Sequence, residues 1–227
     1  MTPADASVEC HRICCLAPVI PVLEIENVST ATELAKALIA GGLPVLEVTL
    51  RTPVALDAIA AMADVAGGVV GAGTLLTATD VKSAKDAGAT FGVSPGATDE
   101  LLLACEDADL PLLPGAATAS EIMRLLQRGY GMQKFFPAGA SGGASAIRAF
   151  GGPFPQVRFC PTGGVSAINA RDYLQLDNVA CVGGSWVAPK NLVAAADWDA
   201  ITSLARQANL LPPHLQAHQV DRAIEAD

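Results

Sequence analysis

Aromatic side chains are scarce in this sequence: only 4% of its 227 residues are Phe, Tyr or Trp. Charge is thin as well, at 16%, and 14 basic residues face 23 acidic ones for a formal net charge of −9. No Lys/Arg run offsets that balance, which excludes nucleic acid as a partner, since an acidic surface repels a phosphate backbone. No apolar run reaches the roughly 18 residues of a membrane-spanning helix before Gly, Pro or a charge interrupts it, so no membrane association is expected. The N-terminus lacks a basic stretch followed by an apolar one, so no signal peptide is legible. Histidine occurs only at His11, His214 and His218, and the six cysteines (Cys10, Cys14, Cys15, Cys105, Cys160, Cys181) form no C-x-x-C pair. Cys10, His11, Cys14 and Cys15 cluster near the start but have no second ligand cluster downstream, so no metal site is expected. A reducing cytoplasm is the expected location.

What remains is apolar. Hydrophobic residues make up 51% of the chain, and the mean hydropathy is +0.39. Such a chain can bury enough surface to offset its ordering entropy. Ala, Val, Leu and Ile carry this mass, punctuated by 21 Gly and 15 Pro, as suits a buried parallel sheet wrapped in helices. Short apolar runs alternate with helical stretches about eight times, at Ala17–Val22, Val45–Leu50, Val69–Ala72, Thr90–Val93, Leu110–Leu113, Met132–Phe136, Val157–Cys160 and Val179–Val182. Thr30-Ala31-Thr32-Glu33 and Thr118-Ala119-Ser120-Glu121 read as capping boxes, closed by Gly41-Gly42 and Gly129. Asp80 opens another helix, which Gly88 stops. Strict alternation calls for right-handed crossovers between parallel strands. Eight units in this length favour a (β/α)8 TIM barrel over an open sheet. The expected organisation is one α/β domain over residues 1–227, with an N-terminal helix at about 1–16 and a surface tail at about 212–227.

Three places break the apolar pattern. In Pro44–Arg51, Leu46, Val48 and Leu50 share one parity, while Glu47, Thr49 and Arg51 share the other. In a barrel that second face points inward, near the strand end where barrels place their chemistry. A buried structural ion pair is the other reading of Glu47 and Arg51. Lysine occurs five times, and Lys36, Lys82, Lys85 and Lys190 stand in helix or loop contexts that read as solvated. Lys134 sits instead inside Met132-Gln133-Lys134-Phe135-Phe136. Burial there would lower its pKa and supply a free amine for Schiff-base formation. Alternatively, its stem packs along the sheet while its head reaches water. The third place is a pair of Gly-rich turns, Pro161–Ser166 and Gly183–Trp186, after the last two strands. Backbone amides at such turns cradle phosphate in many barrels. Val70-Gly71-Ala72-Gly73-Thr74 matches only half of a dinucleotide fingerprint, lacking the third Gly and the acidic residue beyond it.

Taken in order, Val45–Thr52, Val70–Thr74, Ser94-Pro95-Gly96, Lys134–Ala138, Arg158–Gly164 and Gly183–Trp186 resemble the bacterial 2-keto-3-deoxy-6-phosphogluconate (KDPG) and 4-hydroxy-2-oxoglutarate (KHG) aldolases over roughly residues 8 to 210. The resemblance implies a homotrimeric, metal-free class I aldolase. Its substrate would be a phosphorylated keto acid, cleaved to pyruvate and glyceraldehyde 3-phosphate, and 4-hydroxy-2-oxoglutarate would be a second substrate. Lys134 matches the Schiff-base lysine, whose covalent imine takes the place of a metal cofactor, and Glu47 matches the proton-transfer carboxylate. Arg51 and Thr74 match the pair that holds the pyruvate carboxylate. Pro95 and Phe136 match the apolar wall beside the imine, and Thr162 matches a position tied to stereochemical choice. Gly163, Gly164, Gly184 and Ser185 match the phosphate turns. Gly139 and Ser141 depart from the family, which often has Glu and Asn there. The alternatives are a 2-keto-3-deoxy-6-phosphogalactonate aldolase, a barrel isomerase or decarboxylase acting on a phosphorylated sugar or nucleotide, and a non-catalytic barrel that binds a phosphate ligand.

Overall fold

The computed structural model describes residues 1–212 and resolves the alternation into nine strands and ten α-helices among them. The surface tail expected at about 212–227, with His214 and His218, lies outside the described residues apart from Pro212. The strands are β1 (Val19–Leu23), β2 (Val45–Thr49), β3 (Val69–Gly73), β4 (Phe91–Val93), β5 (Leu112–Leu113), β6 (Gly115–Ala116), β7 (Met132–Phe135), β8 (Arg158–Pro161) and β9 (Val182–Gly184). The helices are α1 (Pro3–Cys14), α2 (Ala31–Ala40), α3 (Ala55–Ala63), α4 (Ala78–Asp86), α5 (Asp99–Asp107), α6 (Ala119–Arg128), α7 (Gly143–Phe150), α8 (Ala170–Leu174), α9 (Lys190–Ala194) and α10 (Trp198–Asn209). The strands form two curled parallel sheets, ordered β5-β4-β3-β2-β1-β9 and β6-β7-β8. Isolated parallel bridges join Phe159 to Val179 and Thr162 to Gly183.

Two strand expectations need correction. The fifth strand, expected at Leu110–Leu113, breaks at Pro114 and resumes at Gly115. Proline has no N–H to donate to a ladder, although its carbonyl still accepts from Lys134 N–H at 2.8 Å. On either side of that break the chain changes partner, since β5 pairs with β4 and β6 with β7. The last strand, expected at Val179–Val182, begins only at Val182, where pairing with Val19 of β1 starts.

Helix starts were legible with two adjustments. Thr118 and Glu121 form the expected capping box, and Gly129 closes α6 with a φ of 109°. Thr30 does not cap α2 with its side chain, because a 3-10 turn at Val28–Thr30 already gives it helical torsions. Asn27 caps that turn instead, accepting from Ser29 N–H at 3.0 Å. Asp80 is the third residue of α4, and Thr77 is its cap.

Strand parity separates two cores. Leu46 and Val48 face the helices with Phe135 and Phe159. Ile20, Val45, Phe91, Val93, Leu113, Met132 and Cys160 face one another in the interior. Helix α1 lays Cys10, Ile13 and Cys14 against this second cluster. Cys181 belongs to the same buried cluster as Cys14 and Cys160. Burial pushes the Cys10 thiol up, away from the thiolate a metal would need. All six cysteines are free. Ser7 of α1 ties the helix to the start of β7, its Oγ accepting from Gly131 N–H at 2.9 Å and Met132 N–H at 2.8 Å. Ser7→Ala strands both donors near the interior, and we expect a loss of about 1–3 kcal/mol, read as a lower midpoint in thermal or urea denaturation.

Candidate active site

The same parity that builds the apolar interior places two charges directly above it. On β2, Val45 lies in the interior cluster, so Glu47 and Thr49 follow on the same face toward the strand's C-terminal end. On β7, Met132 lies inward, so Lys134 does too. Glu47 is 3% exposed and Lys134 5%. Lys134 Nζ donates to Glu47 Oε1 at 3.1 Å, across 87 residues of sequence and between the two sheets. Thr49 Oγ1 donates to the Leu23 carbonyl at 2.9 Å, which ties β2 to the end of β1.

The neighbours of the pair leave room for it. Gly73 is the register partner of Thr49, and a Cβ there would stand 2.3 Å from Glu47 Oε1. Thr74, the next residue, has a φ of 64°, an uncommon conformation for a β-branched side chain and one that gathers at functional sites. Gly115 is the register partner of Lys134, and its Cα lies against the Pro95 backbone, so the Ser94-Pro95-Gly96 segment runs close to Lys134. The Phe136 ring centroid is 5.4 Å from Lys134 Nζ.

Above this pair opens a cleft of about 570 Å³, lined by Arg51, Phe136, Thr162, Gly163, Gly164, Gly184 and Ser185 among others. Seven of the residues singled out from sequence therefore share one wall. Lys134, Glu47, Thr74 and Pro95 lie outside its lining, with Phe136 touching both regions. Gly163 and Gly164 have φ of 89° and 78°, and among the described residues neither N–H is taken by a hydrogen bond. Thr162 packs on Gly183, whose Cβ would stand 2.4 Å from its Oγ1. A second hollow of about 600 Å³, bordered by Arg148 and Arg158, contains none of the expected residues.

Arg51 needs correction. It was expected to point inward beside Glu47, but β2 ends at Thr49. Arg51 follows in the turn, its side chain 49% exposed and 4.0 Å from Glu24. The buried carboxylate is thus paired with Lys134, not with Arg51. Lys190, read as solvated, reaches Glu24 Oε1 at 2.5 Å and Glu26 Oε1 at 2.8 Å and lines the same cleft. The hydrogen bond from Lys190 holds the Glu24 carboxyl below its usual range, and Glu24, then Glu26, hold the Lys190 ammonium up. Sequence reasoning passed over Glu24 and Glu26, and gave Lys190 no role in the site. The signal was present in the alternation Leu23-Glu24-Ile25-Glu26 at the C-terminal end of a strand, where barrel chemistry collects.

Gly139 and Ser141 lie in the turn after β7. Gly139 N–H donates to the Gly163 carbonyl at 2.8 Å. A Cβ on Gly139 would meet Gly164 at 3.4 Å, an ordinary contact, so space does not demand glycine there. Among the described residues, no group of three or more His, Cys, Asp or Glu is arranged to hold a metal ion, and no helix is long and apolar enough to cross a membrane.

Comparison with known proteins places this geometry. A relative from Pseudoalteromonas atlantica, described as 2-dehydro-3-deoxy-phosphogluconate aldolase, is 55% identical over 84% of this chain and 89% of its own. The KHG/KDPG aldolase of Escherichia coli K12 is 51% identical over 84% of this chain and 90% of its own. A crystal structure of the KDPG aldolase of Zymomonas mobilis with 3-phosphoglycerate superimposes with a TM-score of 0.86, at 46% identity, covering 92% of this chain and 98% of that one. A KDPG aldolase from Legionella pneumophila, with pyruvate captured as a covalent carbinolamine, gives 0.84 at 46% identity, covering 88% and 97%. The model of the KDPG and KHG aldolase family matches residues 10–204, and the chain belongs to that family.

Proposed function

We propose that this chain is a class I aldolase that cleaves 2-keto-3-deoxy-6-phosphogluconate to pyruvate and glyceraldehyde 3-phosphate, and 4-hydroxy-2-oxoglutarate to pyruvate and glyoxylate. One observation carries the reading: a buried lysine and carboxylate 3.1 Å apart, beneath a cleft that offers an arginine and two glycine turns. The relatives named above are described as enzymes of this kind, one with pyruvate bound as a carbinolamine. The scaffold in this reading is a single, closed (β/α)8 barrel domain. The Phe159–Val179 and Thr162–Gly183 bridges support closure between β8 and β9, as does the chain continuity through Pro114 between β5 and β6. A homotrimer belongs to the same reading, and exposed Leu76, Leu103, Met123 and Ile168 offer apolar surface for contacts. Six free cysteines fit a cytoplasmic setting.

The chemistry follows from these residues. Glu47 is within reach to take the ammonium proton of Lys134, freeing the amine to attack the C2 carbonyl of the keto acid. The resulting carbinolamine loses water to form a protonated imine. Glu47, through water, then removes the C4 hydroxyl proton. The C3–C4 bond breaks, its electron pair passes into the imine, and glyceraldehyde 3-phosphate leaves as the aldehyde. Glu47 returns a proton to C3 of the enamine, and water releases pyruvate and the Lys134 amine. The protonated imine stores the carbanion's electrons, so no metal or other cofactor takes part in this scheme. Arg51 forks onto the carboxylate and orients C2 toward Lys134, with Thr74 beside it. Pro95 and Phe136 wall the imine. Gly163, Gly164, Gly184 and Ser185 receive the phosphate, and Thr162 faces the reacting carbinol, the position where a galactonate epimer would be distinguished.

Trapping tests the imine directly. Incubation with pyruvate and borohydride should give one adduct, on Lys134, by peptide mass spectrometry; an adduct elsewhere, or none, would sink the mechanism. Glu47→Gln should lower kcat by about 10²–10⁴-fold in a protein that keeps its native circular-dichroism spectrum and unfolds cooperatively. Ser185→Ala should raise KM for the phosphorylated keto acid roughly tenfold more than for 4-hydroxy-2-oxoglutarate, the scale of a charged hydrogen bond. Equal losses on both substrates would remove the phosphate role.

A further inference from the structure

We propose that Lys190 is a cationic anchor for the substrate phosphate, beside the glycine turns, and that Glu24 competes with the substrate's two anionic groups, with the phosphate for Lys190 and with the carboxylate for Arg51. The inference rests on the aldolase reading above and concerns how its cleft selects a phosphorylated substrate. Lys190, Arg51, Gly163, Gly164 and Ser185 line one cleft, and so does Glu24. Glu24 stands between the two cations, with Oε1 at 2.5 Å from Lys190 Nζ and Oε2 at 4.0 Å from Arg51 Nη1. Glu26 adds a second carboxylate contact to Lys190, at 2.8 Å.

Neither cation is fixed in this arrangement. Their side chains are 64% and 49% exposed, and exposed ion pairs are individually weak. A phosphate monoester carries a charge of about −1.5 to −2 and three strong acceptor oxygens, so it is a stronger partner for an ammonium than one carboxylate. Glu26 is largely exposed and can turn to solvent when Lys190 leaves it. Glu24 is two-thirds covered and stays on the cleft wall. The carboxylate therefore makes the two cations available only to an anion that outbids it. A phosphorylated keto acid brings a phosphate for Lys190 and a carboxylate for Arg51. A shorter keto acid without phosphate leaves Lys190 on Glu24 and gains nothing from it.

The test compares the full chain with Lys190→Met, Lys190→Arg and Glu24→Gln on both keto acids, and titrates each protein with inorganic phosphate by calorimetry. Lys190→Met should raise the ratio of KM for the phosphorylated to the unphosphorylated substrate roughly fivefold, the scale of an exposed ion pair, and weaken phosphate binding similarly. Lys190→Arg should restore most of both. Glu24→Gln should shift the ratio and the phosphate affinity the opposite way. A ratio that stays constant in Lys190→Met, or equal losses on both substrates, overturns the proposal, as does phosphate binding that ignores both residues. If the unmodified chain cleaves neither keto acid, the aldolase reading falls, and the phosphate titration alone decides the role of Lys190.

Discussion

A carboxylate and an ammonium 3.1 Å apart, inside an otherwise apolar interior, set the terms for this molecule. Removing two charges from water costs several kcal/mol per ion, and their attraction offsets this only with good geometry. Apolar residues of similar volume in the same places would often be as stable or more so. The pair is therefore a poor device for stability and a good one for reactivity. Its surroundings accommodate it at some cost to themselves. Position 73 has no space for a Cβ beside the carboxylate, and Thr74 holds a left-handed backbone immediately afterwards.

The interior is layered by polarity along the strands. At the N-terminal end, α1 closes the bottom with Cys10, Ile13 and Cys14 against Ile20, Val45, Met132 and Cys160. One strand step higher come Glu47 and Lys134, and above them the cleft with its turns and rim charges. A period of two along each strand is enough to generate this order, since Val45, Glu47 and Thr49, or Met132 and Lys134, occupy successive levels of one face. The apolar lower layer excludes water from beneath the pair, and the open cleft admits substrate from one side. Helix α1 matters to the chemistry for that reason although it touches none of it.

What the sequence disclosed, and what it hid, divides along the same line. Local signals were readable: the alternation that gives eight strand positions, the capping box at Thr118, the parity of Glu47, and the oddity of a lysine among bulky apolar residues. Interactions across space were not. Nothing in the sequence between Glu47 and Lys134, 87 positions apart, states that they meet, because the contact depends on two sheets facing each other. Parity carried the inward direction of β2 two residues too far, since the strand ends at Thr49 and Arg51 belongs to the turn. Thr30 shows a different limit. Its capping-box spacing is correct, yet a preceding 3-10 turn had already set its torsions. Glu24 and Glu26 escaped notice, and Lys190 read only as a solvated lysine, because each is ordinary alone, and only the return of β9 beside β1 joins them.

That rim also resolves the apparent conflict between a net charge of −9 and an anionic substrate. Charges beyond about 8 Å are largely screened at physiological ionic strength, so the global excess says little about a particular cleft. At the rim itself two cations meet two carboxylates: Lys190 and Arg51 stand against Glu24 and Glu26. A neutral rim neither repels a dianion nor holds it by charge alone, which leaves discrimination to whichever partner binds the cations more tightly. A cleft lined only with cations would take up any small acid. One with a carboxylate already seated on its cations makes each anion displace it, and that displacement is easiest for a phosphate.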